Sequence, residues 1–279
     1  MTIELFHKVS HECSKIVTTR YSTSFASAIK LLHKELREPI FNIYGFVRFA
    51  DEIVDSFHGH DKRYLLEKFK AETFEAIDRG ISLNPILNSF QETVREYGVD
   101  HRLINAFFKS MESDLEKNFY DQQEYETYIY GSAEAVGLIC LHVFCEKNRQ
   151  LYEQLRQPAR ALGSAFQKVN FLRDIQADNH ELSRMYFPGC NFQDFSAIDK
   201  EQIEEDIEKD FRNAIKGILL LPSKAKFGVY VAYKYYYSLF NKIKTAPPRQ
   251  LLHQRIRISN YQKLFIMVRA GVKNGLRLI

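Results

Sequence analysis

The sequence predicts an all-α protein on three observations. Apolar residues recur every three to four positions in long stretches, as in His33–Ala50, where Leu36, Ile40 and Ile43 share one helical face. Glycine and proline are sparse, with 12 and 7 residues in a chain of 279, and the prolines fall between or at the edges of the periodic stretches. No alternation of apolar and polar residues is long enough to predict a strand.

Each predicted helix is a stretch with this spacing. The first runs from His33 to Ala50, and an ambiguous apolar run at Ile256 is assigned to a final helix because the spacing continues to Val272. The others are Leu65–Ile77, Pro85–Glu96, Arg102–Leu115, Tyr125–Glu146, Asn148–Gln176, Asp199–Leu221 and Lys224–Lys244. No break in composition separates them and 45% of the residues are hydrophobic, so we expect one domain over residues 1–279.

Cysteine usage and the apolar stretches predict a cytoplasmic protein. The four cysteines show no CxxC motif and no regular spacing, which favours a reduced chain. Met1–Arg20 has no uninterrupted apolar core of the kind that a secretion signal requires. The longest apolar stretches, near Ala135–Phe144 and Phe227–Phe240, fall short of the roughly 18–20 residues that a membrane span needs.

Charge is distributed unevenly along the chain. Residues 211–279 contain fourteen Lys and Arg and no Asp or Glu, whereas residues 1–210 contain 25 basic and 35 acidic residues. The basic part could simply balance the acidic part by packing beside it. It could also attract anionic lipid headgroups, giving peripheral contact with a membrane surface, or a polyanionic substrate. Nucleic acid is not expected as a partner, because the basic residues alternate with apolar ones and no nucleic-acid-binding motif is present.

Two acid pairs with identical spacing, Asp51/Asp55 and Asp174/Asp178, lie 123 residues apart. Residues four apart on a helix lie on one face, with roughly 5–6 Å between their Cβ atoms. Carboxylates are the protein ligands that Mg²⁺ takes while it keeps other positions for water and phosphate oxygens. Two facing pairs would therefore hold metal ions against a diphosphate.

Each pair belongs to a longer polar line on its helix. Arg48 precedes Asp51 and Asp55 on the same face; this could be a surface ion-pair stripe, but the flanking residues are apolar nearly all round, which is typical of a buried helix. Asp174 and Asp178 continue a line that begins with Gln167 and Asn170, and all four side chains carry oxygen. We expect Arg173 to point elsewhere and form a structural ion pair. Arg184 could fold over the site or lie in solvent.

These motifs resemble the squalene/phytoene synthase family, and the resemblance covers most of the chain. It rests on Ser22–Phe25, Tyr44–Asp55, Tyr128–Gly137, Gln167–Asp178 and Arg184–Pro188. Two residues depart from the family pattern. Glu52 replaces the second acid of a double aspartate, which leaves the Asp51/Asp55 pair intact. Glu134 replaces a small glycine at a close helix crossing, so it must point outward or find a partner.

The resemblance implies a class I terpenoid synthase fold, with helices around a central cavity, and a prenyltransferase of carotenoid or other isoprenoid biosynthesis. One allylic diphosphate ionises, the other chain attacks the cation to give a cyclopropylcarbinyl diphosphate, and a second ionisation completes the product. The implied metal ligands are Asp51, Asp55, Asn170, Asp174 and Asp178. The implied substrate-binding residues are Ser24, Phe25, Arg48, Phe166, Gln167, Asn170 and Arg184. The implied catalytic residues are Tyr44 and Tyr128, which would lie beside the reacting carbons, and the aspartates Asp51, Asp55, Asp174 and Asp178, which would hold the metal at the leaving group.

Within the resemblance, the short form of the chain favours phytoene as the product. The expected reaction joins two geranylgeranyl diphosphates into phytoene, with Mg²⁺ as cofactor, Mn²⁺ as a substitute and no use of NADPH. One alternative is a C30 synthase that uses farnesyl diphosphate to make dehydrosqualene, presqualene diphosphate or squalene. An alternative of another class is a non-catalytic family member that acts in assembly or membrane docking. The sequence leaves the oligomeric state open.

Overall fold

The structure, a computed structural model, describes residues 2–182, 184–190 and 195–276, with the side chains of 178–182 outside the description. Within these ranges the fold is all-α and contains no strand beyond an isolated bridge between Phe119 and Met185. Its helices are α1 (Ile3–Tyr21), α2 (Thr23–Ile29), α3 (Lys34–Ser56), α4 (Lys62–Arg79), α5 (Pro85–Tyr97), α6 (His101–Glu116), α7 (Gln122–Ile129), α8 (Ala135–Phe144), α9 (Arg149–Leu182), α10 (Ala197–Ile218), α11 (Ser223–Thr245), α12 (Pro248–His253) and α13 (Asn260–Gly275).

The structure confirms the predicted all-α class and changes several predicted boundaries. The predicted helix Tyr125–Glu146 is divided by a π-helical turn, Tyr130–Glu134, which joins α7 to α8. The predicted helix from Ile256 begins only at Asn260. The segment before it, residues 254–259, runs without helix from α12 to α13 and is called the strap below. Helices α1, α2 and α12 were not predicted.

Two prolines that the sequence places at helix edges, Pro39 and Pro158, lie inside α3 and α9. Each lacks the N–H that an interior helix position normally donates. Pro158 lies where α9 and α10 approach closely, since a Cβ atom added to Gly217 would stand 2.2 Å from Pro158 Cβ. The prediction that all prolines mark helix edges is therefore wrong at these two positions.

The buried apolar side chains form one contiguous cluster that extends from α2 to α13. At its centre Phe46 of α3 stacks on Phe90 of α5 with ring centroids 3.8 Å apart. Helix α9 packs along α10 and α8, while α1 packs against α3 and α5. The four cysteines are free thiols. We keep the single domain over residues 1–279 as a prediction.

The continuous helical stretch Gln122–Phe144 is long and apolar enough to cross a membrane by length and composition alone. The sequence-based expectation of no such stretch is therefore wrong, because residues on both sides of the π-helical turn join in one run. Leu138, Ile139 and Val143 from this stretch are fully buried in the bundle. Packing against α6 and α9 accounts for its apolar composition.

Candidate active site

A cavity of about 550 Å³ runs through the bundle, lined by side chains of α2, α3, α8, α9 and α11 among others. Its lining changes in character along α3 from Ile40, Ile43 and Tyr44 to Arg48, Asp51 and Asp55. It changes in the same direction along α9, from Leu155 and Leu162 to Asn170, Arg173 and Asp174. The cavity therefore has a charged end, towards the C-terminal ends of α3 and α9, and an apolar end.

Asp51 and Asp55 face this charged end from the last turns of α3. Burial, and then the charge of Asp55, raises the pKa of Asp51 to about 7. Burial also raises the pKa of Asp55, although Arg184 opposes that shift. Burial is the first cause of both shifts, so a cation bound between the two carboxylates would favour their ionised forms.

Arg48 lies beside the acids, as its spacing predicted, but its main partner is Glu52. The Arg48 guanidinium donates to the Glu52 carboxylate, and its Nη1 atom lies 3.9 Å from Asp51 Oδ2. It also lies over the Tyr21 ring, 4.4 Å from the centroid. Glu52, which departs from the family pattern, thus holds the arginine in place and leaves Asp51 and Asp55 facing the cavity.

Asp174 is bound by two arginines. Arg173 folds back onto it, with Nε 2.9 Å from Asp174 Oδ1, and both residues line the cavity. The predicted ion pair of Arg173 is present, but the prediction that Arg173 points elsewhere is wrong, because its long stem lets the guanidinium reach the adjacent carboxylate. Arg255 reaches the same carboxylate from the strap, with Nε 2.8 Å from Asp174 Oδ1. The side chain of Asp178 lies outside the described residues.

A buried acid that the sequence reasoning missed, Asp114 of α6, organises the wall of the charged end. Its carboxylate accepts hydrogen bonds from the hydroxyls of Tyr128 (2.6 Å), Tyr120 (3.1 Å) and Tyr186 (3.1 Å). Arg184 Nη2 donates to the Asp114 carbonyl oxygen at 2.7 Å. Burial raises the pKa of Asp114 to about 6, against the effect of Arg184. A single acid on an otherwise apolar helix face was the available signal.

Arg184 folds over the charged end, which is one of the two positions that the sequence left open. It is buried rather than in solvent, and its Nη1 atom lies 3.3 Å from Asp55 Oδ1 and 3.8 Å from Asp114 Oδ1. The residue follows α9 in sequence, so the chain returns across the charged end at this point. Arg184 thereby connects the α3 acid pair with the tyrosine cluster around Asp114.

Aromatic rings line the cavity next to the charged end. Phe25 contacts Tyr44, Phe166 and Tyr236, with ring centroids 5.6, 6.0 and 5.6 Å away. Tyr236 stacks on Phe166 at 3.9 Å and donates its hydroxyl to Asn170 Oδ1 at 3.3 Å. Asn170 in turn donates to Gln167 Oε1 at 3.4 Å. These residues are brought together as predicted, with Tyr236 added by the structure.

The structure also places Ser24 and Glu134, for which specific expectations followed from the sequence. Ser24 is half-buried and is not among the residues that line the cavity; Ser22 is, and its hydroxyl accepts from the Phe25 amide at the start of α2. Glu134 finds a partner, since its Oε2 atom accepts from Arg160 Nε at 2.5 Å. The close helix crossing uses glycine at Gly163 instead, where an added Cβ atom would stand 2.5 Å from the Ala133 carbonyl oxygen.

The donor atoms at the charged end are of the type that Mg²⁺ or Mn²⁺ takes. Asp51, Asp55, Asn170 and Asp174 all present oxygen to the cavity, and the raised pKa of Asp51 marks a place where added positive charge would be favourable. Among the described side chains, no three His, Cys, Asp or Glu residues form a metal-binding group by themselves. Water and substrate oxygens would therefore complete the coordination, as is common for Mg²⁺.

Fold and cavity together define an all-α protein whose site suits a ligand with an anionic head and a long apolar tail. The sequence matches the family described as squalene/phytoene synthase over residues 18–262. Because this match covers most of the chain, the protein belongs to the squalene/phytoene synthase family.

Individual relatives carry different names within that family. Over 168 residues the chain is 30% identical to a presqualene diphosphate synthase of Rhodopseudomonas palustris, covering 60% of this chain and 58% of that protein. It is 28% identical to phytoene synthase 3 of Zea mays, covering 74% of this chain and 49% of that protein. The chain thus spans about half the length of these relatives. A phytoene synthase of Arthrospira platensis is 22% identical, with 95% and 93% covered.

Solved structures show the same fold. A dehydrosqualene synthase superimposes with a TM-score of 0.83 at 17% identity, covering 96% of this chain and 98% of that one. A squalene synthase of Alicyclobacillus acidocaldarius gives a TM-score of 0.75 at 18% identity, covering 91% and 98%. These likenesses confirm the predicted terpenoid synthase fold with helices around a central cavity.

Proposed function

We propose that the protein is a Mg²⁺-dependent prenyltransferase that condenses two geranylgeranyl diphosphates head to head into phytoene. The observation that carries this proposal is the cavity with a charged end and an apolar end. Acids and arginines at the charged end suit a metal-bound diphosphate, and the apolar remainder suits an isoprenoid tail. Mn²⁺ would substitute for Mg²⁺, and NADPH is not part of the proposed reaction.

The proposed roles follow from where each group lies. Asp51, Asp55, Asn170, Asp174 and Asp178 would hold the metal, which when bound supplies positive charge to the departing diphosphate. Arg48, Arg184 and Gln167 would bind diphosphate oxygens, and we add Arg173 and Arg255, which reach the same end of the cavity. Ser24 keeps its proposed binding role only if substrate draws it to the cavity; Ser22 is already there.

The aromatic side chains would protect the cation formed when the first diphosphate departs. Phe25, Tyr44 and Phe166 line the cavity next to the charged end, where aromatic rings would stabilise a cation. The surrounding apolar lining excludes water that would otherwise convert the cation to an alcohol. The second chain's double bond then attacks it, and loss of a proton to the released pyrophosphate closes the ring of the cyclopropylcarbinyl diphosphate. This intermediate loses its own pyrophosphate in the second ionisation, rearranges, and gives up a second proton to form the linear product.

The hydroxyl proton of Tyr128 is already donated in a hydrogen bond to Asp114. The hydroxyl oxygen lies 2.6 Å from Asp114 Oδ2, and burial with the neighbouring Asp114 charge holds the pKa of Tyr128 well above the usual value. The hydroxyl oxygen therefore keeps its lone pairs available at the cavity surface. We propose that this oxygen stabilises the cation, with Asp114 fixing its position.

The alternative of a C30 synthase differs only in the donor. Relatives named for both presqualene diphosphate and phytoene match this chain, and the matched solved structures include a dehydrosqualene synthase. The two donors differ by five carbons at the tail, so the apolar end of the cavity decides between them. A cytoplasmic location and peripheral contact with an anionic membrane surface complete the proposal.

The test is incubation of the purified protein with Mg²⁺ and either geranylgeranyl or farnesyl diphosphate, with and without NADPH, followed by product identification by mass spectrometry. We expect a C40 product from the C20 donor, with no dependence on NADPH. A C30 product alone would favour the alternative donor. Absence of turnover with both donors would favour the non-catalytic alternative, an assembly or membrane-docking protein.

Asp51→Ala is expected to lower kcat by at least about a thousandfold, because it removes a metal ligand from the departing diphosphate. Asp78→Ala is the matched control, since Asp78 is an exposed acid of α4 away from the cavity. Circular dichroism should show the same helical content in both variants. Full activity in Asp51→Ala would refute the proposed metal site.

A further inference from the structure

Helix α13 carries a row of exposed apolar side chains that no part of the described chain covers. The row consists of Tyr261, Leu264, Phe265, Val268, Val272 and Leu276, with exposed fractions between 53% and 86%. At 100° per residue these positions fall within about 120° of arc, and they extend over about 22 Å along the helix axis. We call this row the α13 stripe.

The opposite face of α13 is the one that packs on the protein. Ala270 is buried there, and Gly271 lies against Phe227 of α11, whose Cζ atom would stand 4.0 Å from an added Cβ atom. The helix is therefore anchored on the bundle through Ile266, Ala270 and Gly271. The apolar side chains of the α13 stripe are additional to this packed face and point away from the bundle, which is unusual for a surface helix.

Positive charge borders the stripe without neighbouring acids. Arg269 and Lys273 of α13 and Lys234 of α11 form no ion pair with a carboxylate within the described ranges. Burial, and then the charges of Lys273 and Arg269, lowers the pKa of Lys234, so these three cations lie within range of one another. The whole of residues 211–279 lacks Asp and Glu. An anionic surface would offset this repulsion.

The stripe also lies near the charged end of the cavity. Lys263 Nζ, in the first turn of α13, donates to Thr23 Oγ1 of α2 at 2.9 Å, and Ser22 and Phe25 on either side of Thr23 line the cavity. The strap that leads into α13 carries Arg255, which binds Asp174. The first turn of α13 therefore has the stripe on its outer side and, on its inner side, contacts that lead to the charged end of the cavity.

We propose that the α13 stripe docks the protein on an anionic lipid bilayer, with the apolar side chains in the headgroup region and Arg269 and Lys273 against lipid phosphates. An apolar face flanked by Lys and Arg is the arrangement that interfacial helices use. A second copy of the chain fits less well, because like charges would meet across the contact. The choice of lipid rests in part on the proposed function, whose substrates and product are lipids.

The experiment is flotation of the full chain with vesicles of phosphatidylcholine alone and of phosphatidylcholine mixed with phosphatidylglycerol, at low and high salt. We expect binding to the mixed vesicles that weakens with salt. Phe265→Ser/Val268→Ser should bind at least about tenfold more weakly, since it removes two apolar side chains from the stripe. Arg269→Glu should lose the preference for phosphatidylglycerol and keep the weaker apolar contact.

Matched controls separate the stripe from the rest of the surface. Leu83→Ser/Ile198→Ser removes two exposed apolar side chains elsewhere, and Lys109→Glu reverses an exposed charge on α6; both should bind like the original protein. Equal binding by the stripe variant and its control would overturn the proposal. So would light scattering that shows a dimer which only the stripe variant disrupts, with vesicle binding unchanged.

Turnover distinguishes failure of this inference from failure of the proposed function. With detergent-dispersed prenyl diphosphates, Phe265→Ser/Val268→Ser should keep the activity of the original protein, because neither residue lines the cavity. Docking without any turnover would leave the membrane surface standing and refute the enzyme. Turnover without docking would refute only the inference drawn from α13.

Discussion

A single buried carboxylate, that of Asp114, holds three tyrosine hydroxyls and lies beside the guanidinium of Arg184. Because Arg184 also contacts Asp55, a substitution of Asp114 that shifts Arg184 would also change the contacts of the acid pair on α3. The geometry around Asp114 therefore positions other groups, and both Tyr128 and Tyr186 line the cavity. The sequence could not reveal this, because Asp114 draws its partners from three separate segments of the chain.

The raised pKa of Asp114 gives a prediction for stability. The folded state binds the Asp114 proton more tightly than the unfolded state does, so its contribution to the free energy of unfolding falls as pH rises from about 4 to about 6 and is constant above. Relative to Asp114→Asn, the original protein should lose about 2–3 kcal/mol across that window. Urea unfolding at pH 4.5 and pH 7 measures this change.

The comparison between the two proteins cancels the groups that titrate in the same range without interacting with Asp114; Asp51 and Asp55, which do interact with it, contribute to the measured difference. Asp78→Asn, at an exposed acid of α4, is the control and should follow the original protein at both pH values. A difference between Asp114→Asn and the original protein that does not change with pH would show that Asp114 is ionised throughout, contrary to its burial.

At the scale of single elements, a helix could be predicted from the sequence when the residues that it buries are apolar. Helices α3 and α9 were predicted because their buried faces are apolar and periodic. Helix α1 was missed because its buried residues are Ser10, Ser14 and Thr18, which carry no hydrophobic signal. Ser14 Oγ lies 2.7 Å from Ser89 Oγ of α5, so this interface is built from small polar side chains.

Only part of the charged end could be predicted from the sequence, namely the part whose residues are regularly spaced on one helix. Arg48, Asp51 and Asp55 were found from their spacing on one helix, whereas Arg255 lies on the strap, 81 residues beyond its partner Asp174. No periodicity links a non-helical segment to a distant acid. The misplacement of Arg173 has a different cause: spacing gives the direction of a Cβ atom but not the path of a long flexible stem.

The crossing of α9 over the π-helical turn gives a prediction at this scale. Gly163→Ala should lower the free energy of unfolding by about 1–3 kcal/mol, because the added Cβ atom meets the Ala133 carbonyl oxygen, which belongs to the main chain. Gly271→Ala should instead raise it by about 0.5–1 kcal/mol, since α13 has room for a methyl group there. Urea denaturation of both variants provides the measurement, and similar shifts in the two would contradict the close crossing.

At the scale of the whole molecule, the bundle places its charged end and its apolar end at opposite ends of one cavity. Phe144 and Leu155 lie on either side of the turn between α8 and α9, the end that faces away from Asp174. A prenyl chain that enters with its diphosphate at the charged end would reach these residues with its tail. Under the proposed function, their size would limit the length of prenyl chain that fits the cavity.

Phe144→Ala should shift donor preference towards the longer prenyl diphosphate. Removing the ring lengthens the apolar end, so the ratio of kcat/KM for the C20 donor to that for the C15 donor should rise by about tenfold. Competition assays with both donors measure the ratio directly. Phe74→Ala, a partly buried phenylalanine of α4 that does not line the cavity, should leave the ratio unchanged. A ratio that moves equally in both variants would attribute the effect to general loosening.

The strap joins the charged end of the cavity to α13. Arg255 on this short segment binds Asp174, and five residues later α13 begins, with its stripe turned outward. If a ligand at Asp174 displaces Arg255, the strap and the start of α13 must adjust together. Bilayer affinity and ligand affinity would then be thermodynamically linked, and each would change the other by the same factor. The C-terminal quarter of the chain would thus make the membrane an effector of the site.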